Sequence, residues 1–220
     1  LAPAWTFVPP LPPEHAWGDP QPKPIENNLE LPRLRFDDAY HVAAGQGGVY
    51  FGSSADGQVY ALDAATGALR WRFPTEGPVR CAPTLAGGRL YVGSDDGRVY
   101  CLNAGDGAEV WTFQAGPTSE RLLGNGRMIS AWPVRTGVLV SDGTACAGAG
   151  VFPAEGLFLF ALDAATGRLR WMNDTVAQGG RSGISPQGYL LASAEQLFVP
   201  SGRAMPAAFE RATGRFLFQQ

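Results

Sequence analysis

The chain has 220 residues and a formal net charge of −3, with 17 basic and 20 acidic side chains. This balance argues against a nucleic-acid surface, which needs a concentrated basic face. No run of about 18 apolar residues is present, so no membrane-spanning helix is predicted. The 29 glycines and 18 prolines are typical of many short strands joined by tight turns.

The first 37 residues contain little that could form a central strand. Trp5 and Phe7 are alternate apolar residues, and they predict a short strand within residues 1–8. Residues 9–37 are interpreted as a proline-rich loop, because eight prolines lie between positions 9 and 32 and proline is excluded from central strands. The chain opens without methionine, so we expect a mature or truncated start.

From residue 38 onward the sequence repeats itself. Residues 48–74 and 88–114 share their landmarks at a spacing of forty, as in Tyr60 and Tyr100 or Trp71 and Trp111. A third copy ends at Trp171 and a fourth at Phe218. A period near forty residues is typical of a four-stranded β-propeller blade. We therefore predict an all-β fold of antiparallel blades at 38–74, 79–114, 128–173 and 183–219.

The second copy shows how the strands of one blade are predicted. Strands are expected at 79–85, 89–94, 98–103 and 109–114, where β-branched or aromatic residues alternate with polar ones. The turn Asp95-Asp96-Gly97 supplies residues that tolerate a positive φ. Because one blade cannot bury both of its faces, blades are expected to pack radially against each other. Trp5 and Phe7 then match the outer strand of a preceding blade.

A short motif, A-x-D-x-x-T-G-x-x-x-W, ends each repeat. In the order of the motif its residues are Ala61, Asp63, Thr66, Gly67 and Trp71 in the first copy and Ala161, Asp163, Thr166, Gly167 and Trp171 in the third. The second copy has Cys101, Asn103, Asp106, Gly107 and Trp111, and the fourth has Ala208, Glu210, Thr213, Gly214 and Phe218. We expect structural roles: a small residue for close approach, turn bonds from the acid and threonine, and an indole laid between blades.

This motif resembles the tryptophan-docking repeat of the quinoprotein alcohol dehydrogenase-like superfamily, which includes the non-enzymatic BamB-type outer-membrane assembly lipoproteins. The resemblance covers residues 38–220 and implies a PQQ-type propeller. Since propellers commonly have seven or eight blades, about half a ring is expected here, with the remaining blades elsewhere in a longer parent chain. A closed ring of four blades is the alternative. The resemblance also implies a periplasmic or exported protein.

In the superfamily's dehydrogenases PQQ lies over the central channel, stacked on a tryptophan. Carboxylate and amide groups hold a calcium ion there, and a vicinal cysteine pair is often nearby. The three cysteines here, Cys81, Cys101 and Cys146, are scattered. The Asp-Gly carboxylates at Asp56, Asp95-Asp96 and Asp142 each lie beside a turn glycine, which hairpin chemistry explains. We therefore predict no catalytic, cofactor-binding or metal-binding residue in this segment. PQQ and calcium enter only if the chain is part of a dehydrogenase.

A ligand could still bind at the channel mouth, where propellers recruit their partners. Alignment on Pro83, Pro133 and Pro186 places Arg80, Ser130 and Gly183 at one level, with Arg127 and Arg181 just upstream. Trp132 lies outside the docking motif. The hypothesis is that Arg80, Arg127, Trp132 and Arg181 line an electropositive funnel for an acidic or aromatic group. The alternative is that the arginines pair with Asp or Glu on a solvated rim.

Three functions remain open from the sequence. The first is a non-catalytic binding or structural scaffold that presents loops to an unknown protein or small-molecule partner. The second is part of a PQQ- and calcium-dependent alcohol or sugar dehydrogenase whose cofactor ligands lie elsewhere. The third is an architectural domain beside a separate catalytic one.

Overall fold

The chain folds into four four-stranded antiparallel sheets, as seen in a computed structural model. The structure describes residues 4–15, 39–124, 126–151, 153–176, 184–201 and 204–219. The predicted all-β architecture of four-stranded blades is confirmed. Most of the proline-rich segment, residues 16–38, lies outside the described residues, and the size of a complete ring stays a prediction.

Each blade is a simple meander in which neighbouring strands pair in chain order. Blade 1 comprises β1 (Val42–Gly45), β2 (Gly48–Gly52), β3 (Gln58–Asp63) and β4 (Leu69–Pro74). Blade 2 comprises β5 (Thr84–Ala86), β6 (Arg89–Gly93), β7 (Arg98–Asn103) and β8 (Glu109–Gln114).

The second half of the chain contains a short hairpin followed by blades 3 and 4. A hairpin of β9 (Arg121–Gly124) and β10 (Arg127–Ser130) precedes blade 3. Blade 3 comprises β11 (Leu139–Ser141), β12 (Thr144–Ala149), β13 (Phe158–Asp163) and β14 (Leu169–Asn173), with a 3-10 turn at Pro153–Glu155. Blade 4 comprises β15 (Leu191–Ala192), β16 (Gln196–Ser201), β17 (Ala204–Glu210) and β18 (Phe216–Gln219). No helix among the described residues is long and apolar enough to span a membrane.

The observed inner strands begin later than predicted. The sequence predicts residues 79–83 in the first strand of blade 2, but this strand begins at Thr84. Val79 instead donates its N–H to Ser53 O of blade 1 at 3.1 Å. Blade 3 was expected from residue 128 and begins at Leu139. Residues 121–130 pair with each other instead, so they form a separate hairpin rather than a blade strand.

Three apolar cores lie between consecutive blades. The core between blades 1 and 2 contains Tyr50, Leu90 and Tyr100, and the cores between later blades are built in the same way. The aromatic pairs Phe73–Tyr100 and Phe113–Phe160 repeat at ring distances of 5.5 and 5.1 Å. The blades therefore bury their faces against each other, as radial repetition requires.

In each of blades 1 to 3 a tryptophan lies on the last turn of the next blade. Trp71 Nε1 donates to Ala104 O at 3.1 Å, and its ring covers Gly107, whose added Cβ would lie 2.6 Å from the indole. Trp111 lies in the same way on Ala164 O and Gly167, and Trp171 on Arg211 O and Gly214. Phe218, at the corresponding position of blade 4, is exposed.

Two features of each sheet position its aromatic ring against the next blade. The residue opposite the ring is small, as in the pairs Ala61–Trp71 and Ala161–Trp171. All four blades have a register shift directly after that small residue, for example between Ala61 and Leu62. Such a β-bulge increases local twist, which turns the outer strand and its aromatic ring toward the next blade.

Side-chain hydrogen bonds hold the turns that receive the rings. Asp63 Oδ1 accepts from Ala65 N, Thr66 N and Thr66 Oγ1 at 2.9–3.0 Å, and Asp63 Oδ2 pairs with Arg70 at 2.6 Å. The Arg70 guanidinium, helped by the Thr66 bonds, lowers the pKa of Asp63 to about 2. Arg170 and Thr166 lower the pKa of Asp163 to about 2 in the same way.

A glycine beneath an indole should tolerate replacement by alanine less well than a glycine that also has a positive φ but no ring over it. Gly107 has φ +75° beneath Trp71, whereas Gly87 has φ +56° and no atom within 4 Å of an added Cβ. Gly107→Ala should cost about 1–3 kcal/mol more than Gly87→Ala, because only the former displaces a packed ring. Urea unfolding measures the loss of unfolding free energy in each variant. Equal losses would contradict the packed Trp71 ring as the reason that position 107 is a glycine.

The turn carboxylates should make stability fall in acid. Because the folded pKa values of Asp63 and Asp163 lie near 2, below the usual 3.8, their stabilisation is present above about pH 4 and is lost as pH falls toward 2. The variant Asp63→Asn/Asp163→Asn should melt below wild type at pH 6, and the gap should close between about pH 4 and 2. Asp174→Asn, at an exposed position directly after β14, is the control. A difference in melting temperature that does not depend on pH would contradict the assignment.

Candidate binding site at the inner ends of the blades

The candidate site is the place where the segments that precede the inner strands meet the N-terminal residues. Arg80 leads into the inner strand of blade 2, and Arg135 leads into that of blade 3. Their positions are equivalent, because Val79 N donates to Ser53 O and Val134 N donates to Ser94 O, at 3.1 and 3.0 Å. We call Arg80, Arg135 and the carboxylate between them, Asp95, the arginine cluster.

The arginine cluster is buried. The Asp95 side chain is 1% exposed and accepts from Arg80 Nε at 2.8 Å. Arg135 binds the same carboxylate with two bonds, Nε to Oδ1 at 3.1 Å and Nη2 to Oδ2 at 3.0 Å. Two-pronged guanidinium–carboxylate pairs of this kind fix geometry as well as charge. The arrangement therefore ties the loop of blade 2 to the entry segments of blades 2 and 3.

The N-terminal residues close over this cluster. Arg80 Nη1 donates to Glu14 O at 3.0 Å, and Glu14 N donates to Ser54 Oγ at 2.8 Å. The Glu14 carboxylate forms an ion pair with Arg127 of the β9–β10 hairpin. Tyr40 Oη holds the same segment by donating to Leu11 O at 2.7 Å. Residues 11–15 thus connect blade 1, blade 2 and the hairpin.

Trp132 is packed in the interior, which the sequence did not indicate. Its ring is buried over Gly116, where an added Cβ would lie 2.4 Å away, and it meets Phe158 edge-on at 6.4 Å. Its Nε1 donates to Glu155 O at 2.5 Å. The indole therefore packs the segment after blade 2 against blade 3 and presents no open face to a ligand.

The predicted funnel is corrected in two respects. Arg80 and Trp132 do not line an open surface, because the first is bound to Asp95 and the second is buried. Arg127 is partly exposed and paired with Glu14, which agrees with the alternative of arginines paired to carboxylates. Arg181, like Gly183, lies outside the described residues, so its part in a ligand site stays a prediction.

The entry segments of blades 2 and 3 correspond in a different way from the proline alignment of the sequence. Pro133 O accepts from Gly150 N as Pro78 O accepts from Asp95 N, so Pro133 corresponds to Pro78 and not to Pro83. Arg135, rather than Ser130, is therefore the counterpart of Arg80. The repeated tripeptide Pro-Val-Arg at 78–80 and 133–135 was the available signal.

The side chain of Tyr189 connects the segments that lead into the inner strands. The Tyr189 ring lies on Gly137 of the blade 3 entry segment, and Tyr189 Oη accepts from Ala82 N at 2.9 Å. The His41 ring lies 5.9 Å from the Tyr189 ring, just before β1. His41 is exposed and makes this packing contact.

The described carboxylates do not fit a PQQ–calcium site. Asp96 serves its turn, accepting from Tyr100 Oη at 2.6 Å and Arg98 N at 2.9 Å, while burial raises its pKa. Asp95 does not serve the turn as predicted, because both arginines hold it. Among the described residues no group of three or more His, Cys, Asp or Glu side chains is arranged to hold a metal ion.

The cysteines are equally unsuited to a vicinal pair. Cys101 and Cys146 are free thiols, and both are buried. Burial raises the pKa of each of these two thiols to about 11, so both are protonated at neutral pH. They fill the sheet interior as small apolar residues, and Cys101 lies opposite Trp111.

Repeated four-stranded sheets, each seating an indole on the next, define a segment of a β-propeller. A family model described as outer membrane protein assembly factor BamB matches residues 17–215. The chain therefore belongs to this BamB-like family of PQQ-type propellers. No curated protein matches the sequence.

Solved structures share the fold at low identity. A quinohemoprotein alcohol dehydrogenase from Pseudomonas putida has a TM-score of 0.64 at 18% identity, covering 81% of this chain and 33% of that one. The corresponding enzyme from Comamonas testosteroni has a TM-score of 0.64 at 18% identity, covering 82% and 34%. The computationally designed Ika4 protein has a TM-score of 0.55 at 20% identity, covering 78% and 91%. The chain spans about a third of the length of the two dehydrogenases, and the likeness shows the fold alone.

Removal of the Asp95 charge should destabilise the fold strongly. Asp95→Asn leaves Arg80 and Arg135 without their shared carboxylate in a buried setting. Loss of one member of a buried ion pair costs about 3–5 kcal/mol. Asp106→Asn, on an exposed turn, should change the free energy of unfolding by no more than about 0.5 kcal/mol. Urea denaturation measures both, and similar values for the two variants would contradict the buried role of Asp95.

Proposed function

We propose that residues 1–220 form a non-catalytic segment of an exported PQQ-type propeller that acts as a protein-binding scaffold, with the β9–β10 hairpin as its contact element. The family description, an outer-membrane protein assembly factor, supports a protein partner in the cell envelope. The observation that carries the proposal is the exposed apolar pair on this hairpin.

The hairpin separates its apolar residues onto two faces. Leu122 and Ile129 are paired across the strands and face inward, with Leu122 packed against the core between blades 2 and 3. Leu123 and Met128 are paired directly on the opposite face and are 71% and 52% exposed. The two neighbouring side chains offer apolar contact area to a protein partner on an element that lies between blades.

Contacts at both sides hold the hairpin in place. Arg121 pairs with Glu76 and Arg127 pairs with Glu14, so each strand is tied to a neighbouring segment. At its base, Ser130 N donates to Asp95 O at 2.7 Å. An element that is already ordered loses less conformational entropy on binding, which favours affinity. The arginine cluster thus supports the hairpin rather than receiving a ligand itself.

Substitution of the exposed pair should weaken partner binding without harming the fold. The partner is first identified as the envelope protein that cross-links to the complete protein. Leu123→Ser/Met128→Ser should reduce the affinity for this partner by about tenfold or more, because an apolar contact at the centre of the interface is lost. Leu69→Ser/Leu169→Ser removes two leucines of outer strands that are 50% and 48% exposed, and it should leave the affinity unchanged. Calorimetry with the purified partner measures both variants.

Two results would contradict the proposal. One is an affinity of the hairpin variant equal to that of its control. The other is dye reduction by the complete protein with PQQ, calcium and an alcohol above the rate without alcohol, which would instead support the dehydrogenase alternative.

A further inference from the structure

A cavity of about 660 Å³ opens between the turns of blades 3 and 4. We call it the blade 3–4 groove. Blade 3 contributes the turn between β11 and β12, and blade 4 contributes the turn between β15 and β16 together with its last turn. The lining includes the carboxylates of Asp142, Glu195 and Glu210 as well as Thr144, Ala212 and Leu217.

At the boundary between blades 2 and 3, an arginine fills the equivalent place. Arg89 is the first residue of β6, and its Nη1 donates to two carbonyl groups in the last turn of blade 3. These are Ala165 O at 2.7 Å and Ala164 O at 3.4 Å. A guanidinium group has five N–H donors and no acceptor, so it is suited to neighbouring carbonyl groups of this kind.

Blade 3 has a short side chain where blade 2 has Arg89. Thr144 is the first residue of β12 and lies opposite Asp163 in the sheet, as Arg89 lies opposite Asn103. The side chain of threonine is much shorter than that of arginine, and the Thr144 hydroxyl group accepts from Arg170 Nη1 at 2.6 Å. Blade 3 therefore extends no guanidinium group from this position toward blade 4.

The carbonyl group that such an arginine would reach is open in blade 4. The indole of blade 2 docks on Ala164 O, and the next carbonyl group of that turn accepts from Arg89. The indole of blade 3 docks on Arg211 O, so the corresponding next carbonyl group is Ala212 O. Among the described residues none donates a hydrogen bond to Ala212 O.

A second arginine position is apolar in blade 4. Arg170 lies directly before the docked indole of blade 3 and donates to Asp163 Oδ2 at 2.7 Å. Leu217 has the corresponding place in blade 4. Glu210, the counterpart of Asp163, is paired instead with Arg215, whose side chain is 64% exposed. An aliphatic side chain therefore lines the groove where blade 3 carries a guanidinium group of its own.

The groove also contains a carboxylate without an ion pair. Asp142 is paired with Arg211 at 2.7 Å, and Arg211 also donates to Ser141 O and Ser193 O, so its guanidinium group is bound to the two neighbouring turns. Glu195 is exposed and forms no ion pair with any described residue. A carboxylate and an open carbonyl group suit a guanidinium group, and an aliphatic wall suits the methylene groups of an arginine.

We propose that the blade 3–4 groove binds an arginine side chain of a partner protein, in the place that Arg89 fills between blades 2 and 3. Its guanidinium group donates to Ala212 O and to the Glu195 carboxylate, and its methylene groups lie against Leu217. The occupant is a polypeptide side chain because one already fits the equivalent space within this chain. The groove shares no residue with the β9–β10 hairpin, so its test is independent of that of the hairpin.

Peptide binding tests the proposal. The complete protein is titrated with the peptide acetyl-Gly-Arg-Gly-amide, and the backbone amide chemical shifts are followed by NMR. The amides of Glu195, Gln196 and Ala212 should shift in a saturable way. The matched peptide with lysine in place of arginine should bind at least about tenfold more weakly, because an ammonium group lacks the planar fork of donors.

Two variants of the groove should weaken binding of the arginine peptide. Thr144→Arg places an arginine at the position equivalent to Arg89, so it should fill the groove and weaken binding by at least about tenfold. Glu195→Gln removes the carboxylate without an ion pair and should weaken binding by about threefold, as expected for an exposed charge. Thr118→Arg adds the same charge on the exposed loop after blade 2 and should leave the affinity unchanged within about twofold.

Four results would overturn the proposal. The first three are the absence of saturable shifts at Glu195 and Ala212, equal affinity for the arginine and lysine peptides, and equal affinity of Thr144→Arg and Thr118→Arg. Each would show that the groove does not select a guanidinium group. The fourth is binding of free arginine more than about tenfold more tightly than the peptide, which would assign the groove to a small molecule instead of a protein.

Discussion

The fold depends on one contact, an indole of one sheet lying on the last turn of the next. A four-stranded blade has two apolar faces, so no blade is stable alone and each must bury a face against a neighbour. Trp71, Trp111 and Trp171 fix the relative placement of successive blades, because each ring requires a left-handed glycine beneath it and a backbone carbonyl at its Nε1. The spacing of the blades follows from these fixed points.

The outer and inner ends of the blades are held by different forces. At the outer end, large rings and exposed turn carboxylates recur in nearly every blade. At the inner end, a buried charged contact joins Asp95 to the segments of Arg80 and Arg135. A buried carboxylate between two guanidinium groups is costly to desolvate and specific in geometry. It therefore distinguishes the boundary between blades 2 and 3, where the β9–β10 hairpin is inserted.

Two elements interrupt the regular repeat. The β9–β10 hairpin is packed on one face and carries Leu123 and Met128 on the other. The N-terminal segment reproduces an interface between blades through the contacts of Trp5 and Phe7 with blade 1. Glu14 links them, since its carboxylate binds Arg127 of the hairpin and its carbonyl binds Arg80. The regular blades thus form the frame, and the β9–β10 hairpin carries the surface that we propose for partner binding.

The sequence by itself determined the repeat, the four-stranded blades and the sites of the docking rings, because alternation and turn chemistry are local and recur at a fixed spacing. The tertiary structure alone decided where the inner strands begin, which carboxylate holds Arg80 and why Trp132 is buried. These depend on residues distant along the chain, such as the pairing of Asp95 with Arg135. A local pattern contains no record of such partners, and a single proline was too weak a landmark to align them.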